Sequence, residues 1–262
     1  MLELTNSNYY SLEADQEYMS NSQYKDFMDC EARAMAKLTG VWKEPPKESL
    51  LLGSYVHAWA DGTIDDFKKN NPYLFTKKGE LYAQYKNADR MIETLEQDEF
   101  IQFVLQGHKE VIMTAEFAGA IWKIKMDSYN PLHERFSDLK TVKAIREKYW
   151  DKELREYVSF VEAFGYTRQM AIYAEIERRN SGRKGWLESL IVAVSKEDPP
   201  DKAVIAIDSY RIEEELISVE RNLPHVLEVK AGEVPAKRCE KCRYCRETKK
   251  IQKVTHYLDL IA

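Results

Sequence analysis

The sequence predicts an α/β protein in which helices flank a central mixed β-sheet and a helical N-terminal segment precedes it. Apolar residues recur at helical spacing through much of the first hundred residues. Residues 111–130 instead alternate apolar and polar positions on either side of Gly119, which is the pattern of a β-hairpin. We therefore expect a helical part over 1–106, an α/β core over 107–227 and a basic, cysteine-containing tail over 228–262.

No segment rich in glycine, serine and proline divides the 262 residues, so we expect a single domain. Helical spacing predicts helices over 22–38, 49–61, 79–106 (one or two), 142–150, 159–179 and 213–227. Besides the hairpin, strands are predicted over 134–139, 186–196 and 203–211. Strands that alternate with helices in this way are typical of an α/β domain.

The composition indicates a folded protein without a membrane anchor. The chain carries 16 Tyr, 9 Phe and 5 Trp, which argues against disorder. It shows neither a signal segment nor an apolar run of the ~20 residues that a membrane span needs. We therefore expect a cytoplasmic protein.

The charge of the sequence gives conflicting indications about binding to nucleic acid. The net charge of −5 provides no global attraction to it. The run from Lys237 to Lys253, however, contains eight basic residues against Glu240 and Glu247. Such a run is compatible with an ordinary solvated surface and with contacts to phosphates.

Two carboxylates and an ammonium group are expected to meet at adjacent strand ends. Asp127 ends one predicted strand, and Asp138 and Lys140 end the next, eleven residues later. Hydrolysis of a phosphodiester needs hard oxygen ligands for Mg²⁺ or Mn²⁺, here the two aspartates and the Leu139 carbonyl, with a positive charge near the phosphorus. Taken alone, D-x-K is also common among solvent-facing strand residues.

The order Asp, strand turn, D-x-K resembles the PD-(D/E)xK nucleases of the RecB and RecE type, which implies a restriction-endonuclease-like core. Asp127, Asp138 and Lys140 match that pattern, although Met126 replaces the proline of the name. Glu116 lies eleven residues before Asp127, where related nucleases carry an acidic residue near the metals. A strand glutamate without that role is the alternative.

Two further motifs match the same nucleases in the same order. Gly53 to His57 resembles a G-x-x-x-H element whose histidine is an additional metal ligand, and Gln169 to Tyr173 resembles a Q-x-x-x-Y element that contacts DNA or surrounds the catalytic lysine. A packed core histidine and a simple helix surface pair are the corresponding alternatives.

The four cysteines fall in a one-plus-three distribution that resembles iron–sulfur nucleases of the AddB and Cas4 type. Cys30 precedes the core, and Cys239, Cys242 and Cys245 lie in the tail. The resemblance implies a [4Fe–4S] cluster that fastens the N-terminal helix to the tail, with zinc or idle thiols as alternatives. The C-x-x-C-x-x-C spacing is tighter than in those relatives.

The resemblance implies a Mg²⁺- or Mn²⁺-dependent exonuclease that digests linear double-stranded DNA from 5′ to 3′ in phage-type recombination. It further implies a strand-annealing recombinase as partner and a homo-oligomeric state, neither of which these residues themselves indicate. The alternatives are a Cas4-like single-strand nuclease, a catalytically silent DNA-binding scaffold, and an unrelated α/β protein with a D-x-K motif by coincidence.

Overall fold

The computed structural model describes residues 1–45, 48–151, 154–251 and 254–260. Its strands are β1 His108–Phe117, β2 Ala120–Asn130, β3 Arg135–Val142, β4 Tyr149–Asp151, β5 Glu156–Val158, β6 Glu188–Ser195 and β7 Lys202–Ile207. Five of them form one sheet in the order β1-β2-β3-β6-β7, in which β3 and β6 are parallel and the other pairs antiparallel. The predicted mixed sheet flanked by helices is thus confirmed.

Helices cover both faces of this sheet. They are α1 Leu12–Glu17, α2 Asn21–Asp29, α3 Glu31–Leu38, α4 Glu48–Ala60, α5 Ile64–Asn70, α6 Asn87–Glu96, α7 Glu99–Val104, α8 Phe160–Ala163, α9 Tyr166–Ser181, α10 Ser209–Ala231 and α11 Arg243–Glu247. Within the described part of the chain, no helix is both long enough and apolar enough to cross a lipid bilayer.

Strand β6 shows why the sheet carries a core on each side. Ile191 and Ala193 belong to the core that includes α9 and α10, whereas Leu190, Val192 and Val194 belong to the core beneath α4, α6 and α7. Because successive side chains of a strand point to opposite faces, a strand that is buried on both faces needs a continuous apolar run. Strand β6 pairs in parallel with β3, and both strands lie inside the sheet.

Strands β2 and β3 pair over only three residues each. The ladder joins Ser128–Asn130 to Arg135–Ser137, and the next residue on each strand is an aspartate, Asp127 or Asp138. Beyond that point β2 stays with β1 and β3 stays with β6. The two carboxylates therefore lie where the strands separate, within β2 and β3, and not at strand ends as predicted.

Two predicted helices are interrupted, and the interruptions have local causes. The helix expected over 22–38 breaks at Cys30, whose backbone is extended at φ −167°. The helix expected over 159–179 breaks at Gly165, whose φ of 70° favours glycine.

The helix predicted over 142–150 does not form. Ile145 and Tyr149 are spaced as on one face of a helix, and both pack against the core. However, β3 extends to Val142, and Tyr149 begins a β-hairpin. Helices α1 and α5 were not predicted, because each spans fewer than two turns and carries little periodicity.

Candidate active site

Asp127 is held by two elements at the point where β2 and β3 separate. Its Oδ2 accepts a hydrogen bond from the Leu139 backbone N–H at 2.8 Å and lies 3.4 Å from His57 Nδ1 on α4. The same carboxylate oxygen therefore connects β2 and β3 to the helix that carries the predicted histidine.

Asp138 is held from the other side. Gln169 Nε2 on α9 donates to its Oδ1 at 2.7 Å, and Lys140 Nζ lies 2.5 Å from its Oδ2. Residues two apart on a strand share a face, which is why D-x-K brings its ammonium to its carboxylate. The Asp138 side chain is only 4% exposed, and among the described residues its Oδ2 has no partner apart from Lys140.

Glycine at position 53 explains how α4 reaches the sheet. A Cβ built there would lie 3.0 Å from Thr141 Oγ1 on β3, closer than side chains normally pack. Glycine therefore allows α4 to approach β3 this closely, whereas a larger residue would require Thr141 to shift. His57 follows one turn later and faces Asp127, so the G-x-x-x-H spacing has a packing basis.

The Q-x-x-x-Y pair faces the cleft and is not a surface pair. Tyr173 lies one turn after Gln169, with its ring centroid 6.5 Å from that of Phe136, and both residues of the pair line the cleft. Burial raises the pKa of Tyr173 well above its ordinary value, and the nearby carboxylates act in the same direction. The tyrosine therefore stays protonated and can donate a hydrogen bond.

The cleft has a volume of about 420 Å³ and contains acidic residues that sequence reasoning missed. Glu110 on β1 lies opposite Asp127 and forms an ion pair with Lys125. Asp61 follows His57 by four residues, just after α4. The sequence signal for Asp61 was its spacing of one helical turn from His57, a predicted metal ligand.

Glu116 does not belong to this site, which corrects the expectation that it lies near the metals. It pairs with Ile121 close to the hairpin turn and is exposed. Six residues separate it from Glu110 on the same strand, a distance of about 20 Å. The register of β1 against β2 places Glu110, and not Glu116, beside Asp127.

The electrostatics of the cleft favour a bound cation. Burial raises the pKa of Asp127, His57 opposes this rise, and Asp138 adds to it. Burial also raises the pKa of Asp61 to about 7, with Asp127 and Glu110 acting in the same direction. The buried Oδ1 of Asp61 has no hydrogen-bond partner within the part of the chain that the structure describes. Buried carboxylate oxygens without donors, together with an imidazole, fit Mg²⁺ or Mn²⁺.

The four cysteines form a second centre, the cysteine centre, away from this cleft. Their sulfur atoms all lie within 4.8 Å of one another, with Cys30 and Cys245 separated by 3.6 Å. Burial raises the pKa of Cys245 to about 12. For Cys239 burial is outweighed by hydrogen bonds from the backbone N–H groups of Lys241 and Cys242, which lower its pKa to about 6. The break between α2 and α3 at Cys30 brings the first thiol to the other three.

The basic run of the tail is partly neutralised by its own glutamates. Arg243 pairs with Glu247 at 2.5 Å, and Lys249 pairs with Glu240 at 3.1 Å. Lys253 lies outside the described residues. Such ion pairs are more typical of a solvated surface than of a phosphate-binding surface.

The fold and this cleft define a member of the PD-(D/E)xK nuclease superfamily. The chain belongs to the family described as PDDEXK-like domain of unknown function (DUF3799), which matches residues 20–248. It is 43% identical to a candidate exonuclease from Eubacterium rectale whose crystal structure superposes with a TM-score of 0.93, and the match covers 100% of this chain and 99% of that one. No curated protein matches the chain.

Proposed function

We propose that the protein is a metal-dependent DNA exonuclease of the RecE and RecB type, acting as one nuclease domain. One observation carries the proposal: Asp127, Asp138 and Lys140 lie together where β2 and β3 separate. Helices α4 and α9 bring a histidine and a glutamine to the same cleft. Elements remote in sequence thus converge on the groups that phosphodiester hydrolysis needs.

Asp127, Asp138 and the Leu139 carbonyl would hold Mg²⁺ or Mn²⁺, with His57 as a further ligand. When bound, the cation supplies Lewis acidity and activates a water molecule. The residues around it keep the ligands in place. Gln169 restrains one oxygen of Asp138, and the Leu139 N–H restrains one oxygen of Asp127.

Lys140 provides the positive charge of the site. Its ammonium faces the same side of the sheet as Asp138, where it can donate a hydrogen bond to the attacking water or stabilise the charge that develops on the phosphate. Tyr173 lines the same cleft, and its proposed role is to position the groups around the lysine.

The similarity to the candidate exonuclease of Eubacterium rectale supports an exonuclease activity. By resemblance to the RecE type, we propose digestion of linear duplex DNA from 5′ to 3′, a strand-annealing recombinase as partner, and a homo-oligomer. A Cas4-like single-strand nuclease is the second candidate, because the one-plus-three distribution of the four cysteines resembles that type. The catalytically silent DNA-binding scaffold is disfavoured because Asp127, Asp138 and Lys140 are all present.

We further propose that the cysteine centre holds a metal that ties the start of α3 to the tail. Four thiolates around one zinc ion, at about 2.3 Å from it, lie about 3.8 Å apart. A [4Fe–4S] cluster inserts four irons and four sulfides between the same thiolates and needs wider separations. The distances of 3.6 Å and 4.0 Å to the Cys245 sulfur therefore support zinc over the cluster that the resemblance implies.

The nuclease is tested by degradation of end-labelled linear DNA, duplex and single-stranded, with Mg²⁺, Mn²⁺ or EDTA. We expect cleavage that requires the metal and that Lys140→Ala and Asp138→Asn lack, whereas Lys184→Ala, an exposed lysine outside the cleft, cleaves normally. Labels at the 5′ or the 3′ end identify the polarity. Absence of cleavage by anaerobically purified wild-type protein on every substrate would reject the proposal.

A further inference from the structure

The turn that precedes α1 reaches the active-site cleft. Residues 5–11 form this turn, which backbone hydrogen bonds close. Tyr10 in the turn lines the same cleft as Asp127 and Asp138, and it is 75% exposed. The hydrolysis proposed for the cleft does not use this ring, so the position of the ring calls for another role.

A buried lysine fastens the turn to β2. The Lys123 side chain is 1% exposed, and its Nζ donates to the Tyr9 carbonyl at 2.5 Å and to Asp15 Oδ1 at 2.7 Å. An ammonium group is stable in the protein interior only when such partners replace water. Because Lys123 lies four residues before Asp127 on β2, the strand that carries Asp127 also fixes the residue next to Tyr10.

The N-terminal segment also occupies the edge of β2 from which β3 has separated. The Met19 N–H donates to the Ile121 carbonyl, and the Met19 carbonyl accepts from the Lys123 N–H, both at 2.8 Å. Met19 thereby pairs with β2 on the side opposite to β1. The separation of β2 from β3 that opens the cleft therefore also admits the segment that presents Tyr10.

The Tyr10 ring has defined neighbours on its protein side. Lys125 Nζ lies 4.9 Å from the ring centroid, and the buried Tyr9 ring meets it edge-to-face at 4.9 Å. Lys125 forms an ion pair with Glu110, so its charge is already balanced. Most of Tyr10 remains open to solvent. An exposed ring that is held in place can contact a ligand at little cost in conformational entropy.

We propose that Tyr10 recognises the end of a DNA duplex. Its ring stacks on the terminal base pair while the adjacent phosphate reaches the proposed cation site at Asp127 and Asp138. Within a duplex, the neighbouring pairs cover both faces of each base pair. The terminal pair keeps one π-face uncovered, and an aromatic ring can stack on it without unstacking the helix. The ring therefore contacts an end and not the interior of a duplex.

This inference rests on the proposed nuclease and concerns how its site selects a DNA end. Stacking adds affinity for the substrate and leaves the chemical step to the residues around the cation. An interaction that binds substrate and transition state equally changes KM and not kcat. Closed circular DNA has no terminal pair, so Tyr10 should contribute nothing to its binding.

Photocrosslinking tests the contact directly. A blunt duplex carries 5-iodouracil in the terminal base pair, on either strand, and is irradiated with the protein in buffer without added Mg²⁺ or Mn²⁺. We expect a crosslink to Tyr10, located by mass spectrometry, and none when the iodouracil is moved into the interior of the duplex. Crosslinks that avoid Tyr10 for both strands would overturn the inference.

Steady-state cleavage of linear duplex DNA with Mg²⁺ measures the contribution of the ring. Tyr10→Ala should raise KM at least about five-fold and leave kcat nearly unchanged, because removal of a stacked ring costs that much affinity or more. Tyr10→Phe should behave like the wild type, because it keeps the ring. Tyr73→Ala, which removes a 64% exposed tyrosine outside the cleft, is the matched control. A fall in kcat at unchanged KM would overturn the stacking role and assign Tyr10 to the support of Lys125.

Crosslinking and cleavage together separate this inference from the proposed function. A Tyr10 crosslink without cleavage by the wild type supports the end contact and rejects the nuclease. Cleavage without a Tyr10 crosslink, and with the same KM for Tyr10→Ala as for the wild type, overturns the end contact and leaves the nuclease intact. Closed circular duplex should compete for binding better against Tyr10→Ala than against the wild type, and equal competition would also overturn the end contact.

Discussion

Gly53 of α4 lies so close to Thr141 of β3 that a Cβ on the glycine would be 3.0 Å from the threonine Oγ1. This close approach places His57, one turn further along α4, at 3.4 Å from Asp127. The position of the helix and the geometry of the proposed metal-binding residues are therefore set by the same contact.

Gly53→Ala is expected to lower kcat at least about ten-fold, because displacement of a ligand by less than an ångström is enough for such a loss. Its effect on the free energy of unfolding should be small, since alanine favours the helix by about 0.5–1 kcal/mol and the clash opposes that gain. Steady-state cleavage rates and thermal melting measure the two effects separately.

The matched control is the double variant Gly53→Ala with Thr141→Ala, which removes the atom that the new methyl group meets. Activity should recover relative to Gly53→Ala alone. If the threonine change restores nothing, the close approach is not what positions His57.

Gln169→Ala should lower kcat by about 10- to 100-fold with little change in affinity for DNA. The amide donates to a buried carboxylate, and a hydrogen bond to a charged group contributes about 1.5–3 kcal/mol. Gln169→Glu should be more harmful at neutral pH, because it sets a second carboxylate against Asp138. Equal activity of the glutamate variant and the wild type would show that Asp138 does not depend on this donor.

Asp61 makes the metal-free protein less stable as the pH rises. Burial, with Asp127 and Glu110, raises the pKa of Asp61 from 3.8 to about 7, so the folded state binds the proton more tightly than the unfolded state. Its contribution to stability is fully present below the unfolded pKa and is lost as the pH rises through about 7. Solvent screens part of this effect, because the Asp61 side chain is only partly buried.

Asp61→Asn should remove this dependence and raise the melting temperature above pH 7 in buffer without added Mg²⁺ or Mn²⁺. Thermal melts of wild type and variant across that pH range measure the difference. Added Mg²⁺ should stabilise the wild type most at the high-pH end, where the carboxylates are ionised. A variant whose pH profile parallels that of the wild type would contradict the assignment.

The cysteine centre should behave as a structural metal site. Cys30→Ala is expected to lower the melting temperature by at least about 5 °C and to abolish stoichiometric zinc, because the loss of one ligand opens a closed tetrahedral site. A strong chelator should destabilise the wild type but not the variant. Elemental analysis and the visible spectrum of anaerobically purified protein distinguish zinc from an iron–sulfur cluster, and iron with sulfide in stoichiometric amounts would refute zinc.

The local patterns of the sequence were sufficient for several parts of the site. Alternation along β3 puts Asp138 and Lys140 on one face, and helical spacing puts Gln169 and Tyr173 on one face of α9. The continuous apolar run of β6 predicted a strand, and the structure shows that it is buried on both sides. Each of these features depends on a periodicity contained within one segment.

Other parts depend on contacts between segments, and the sequence could not show them. Glu116 and Glu110 are equally plausible acids on β1, and only the register against β2 places Glu110 beside Asp127. The break at Cys30 interrupts a pattern that predicts one continuous helix. The hairpin that begins at Tyr149 replaces the end of the helix predicted over 142–150.

The sequence by itself determined the fold class, the motifs and their order, because these follow from side-chain periodicity and residue chemistry. The tertiary structure decided which acids share the cleft with Asp127, how closely α4 approaches β3, and how near the four thiols lie to one another. Register and helix approach are fixed by packing between segments far apart in the chain, and a one-residue shift of a strand would reverse every side chain on it.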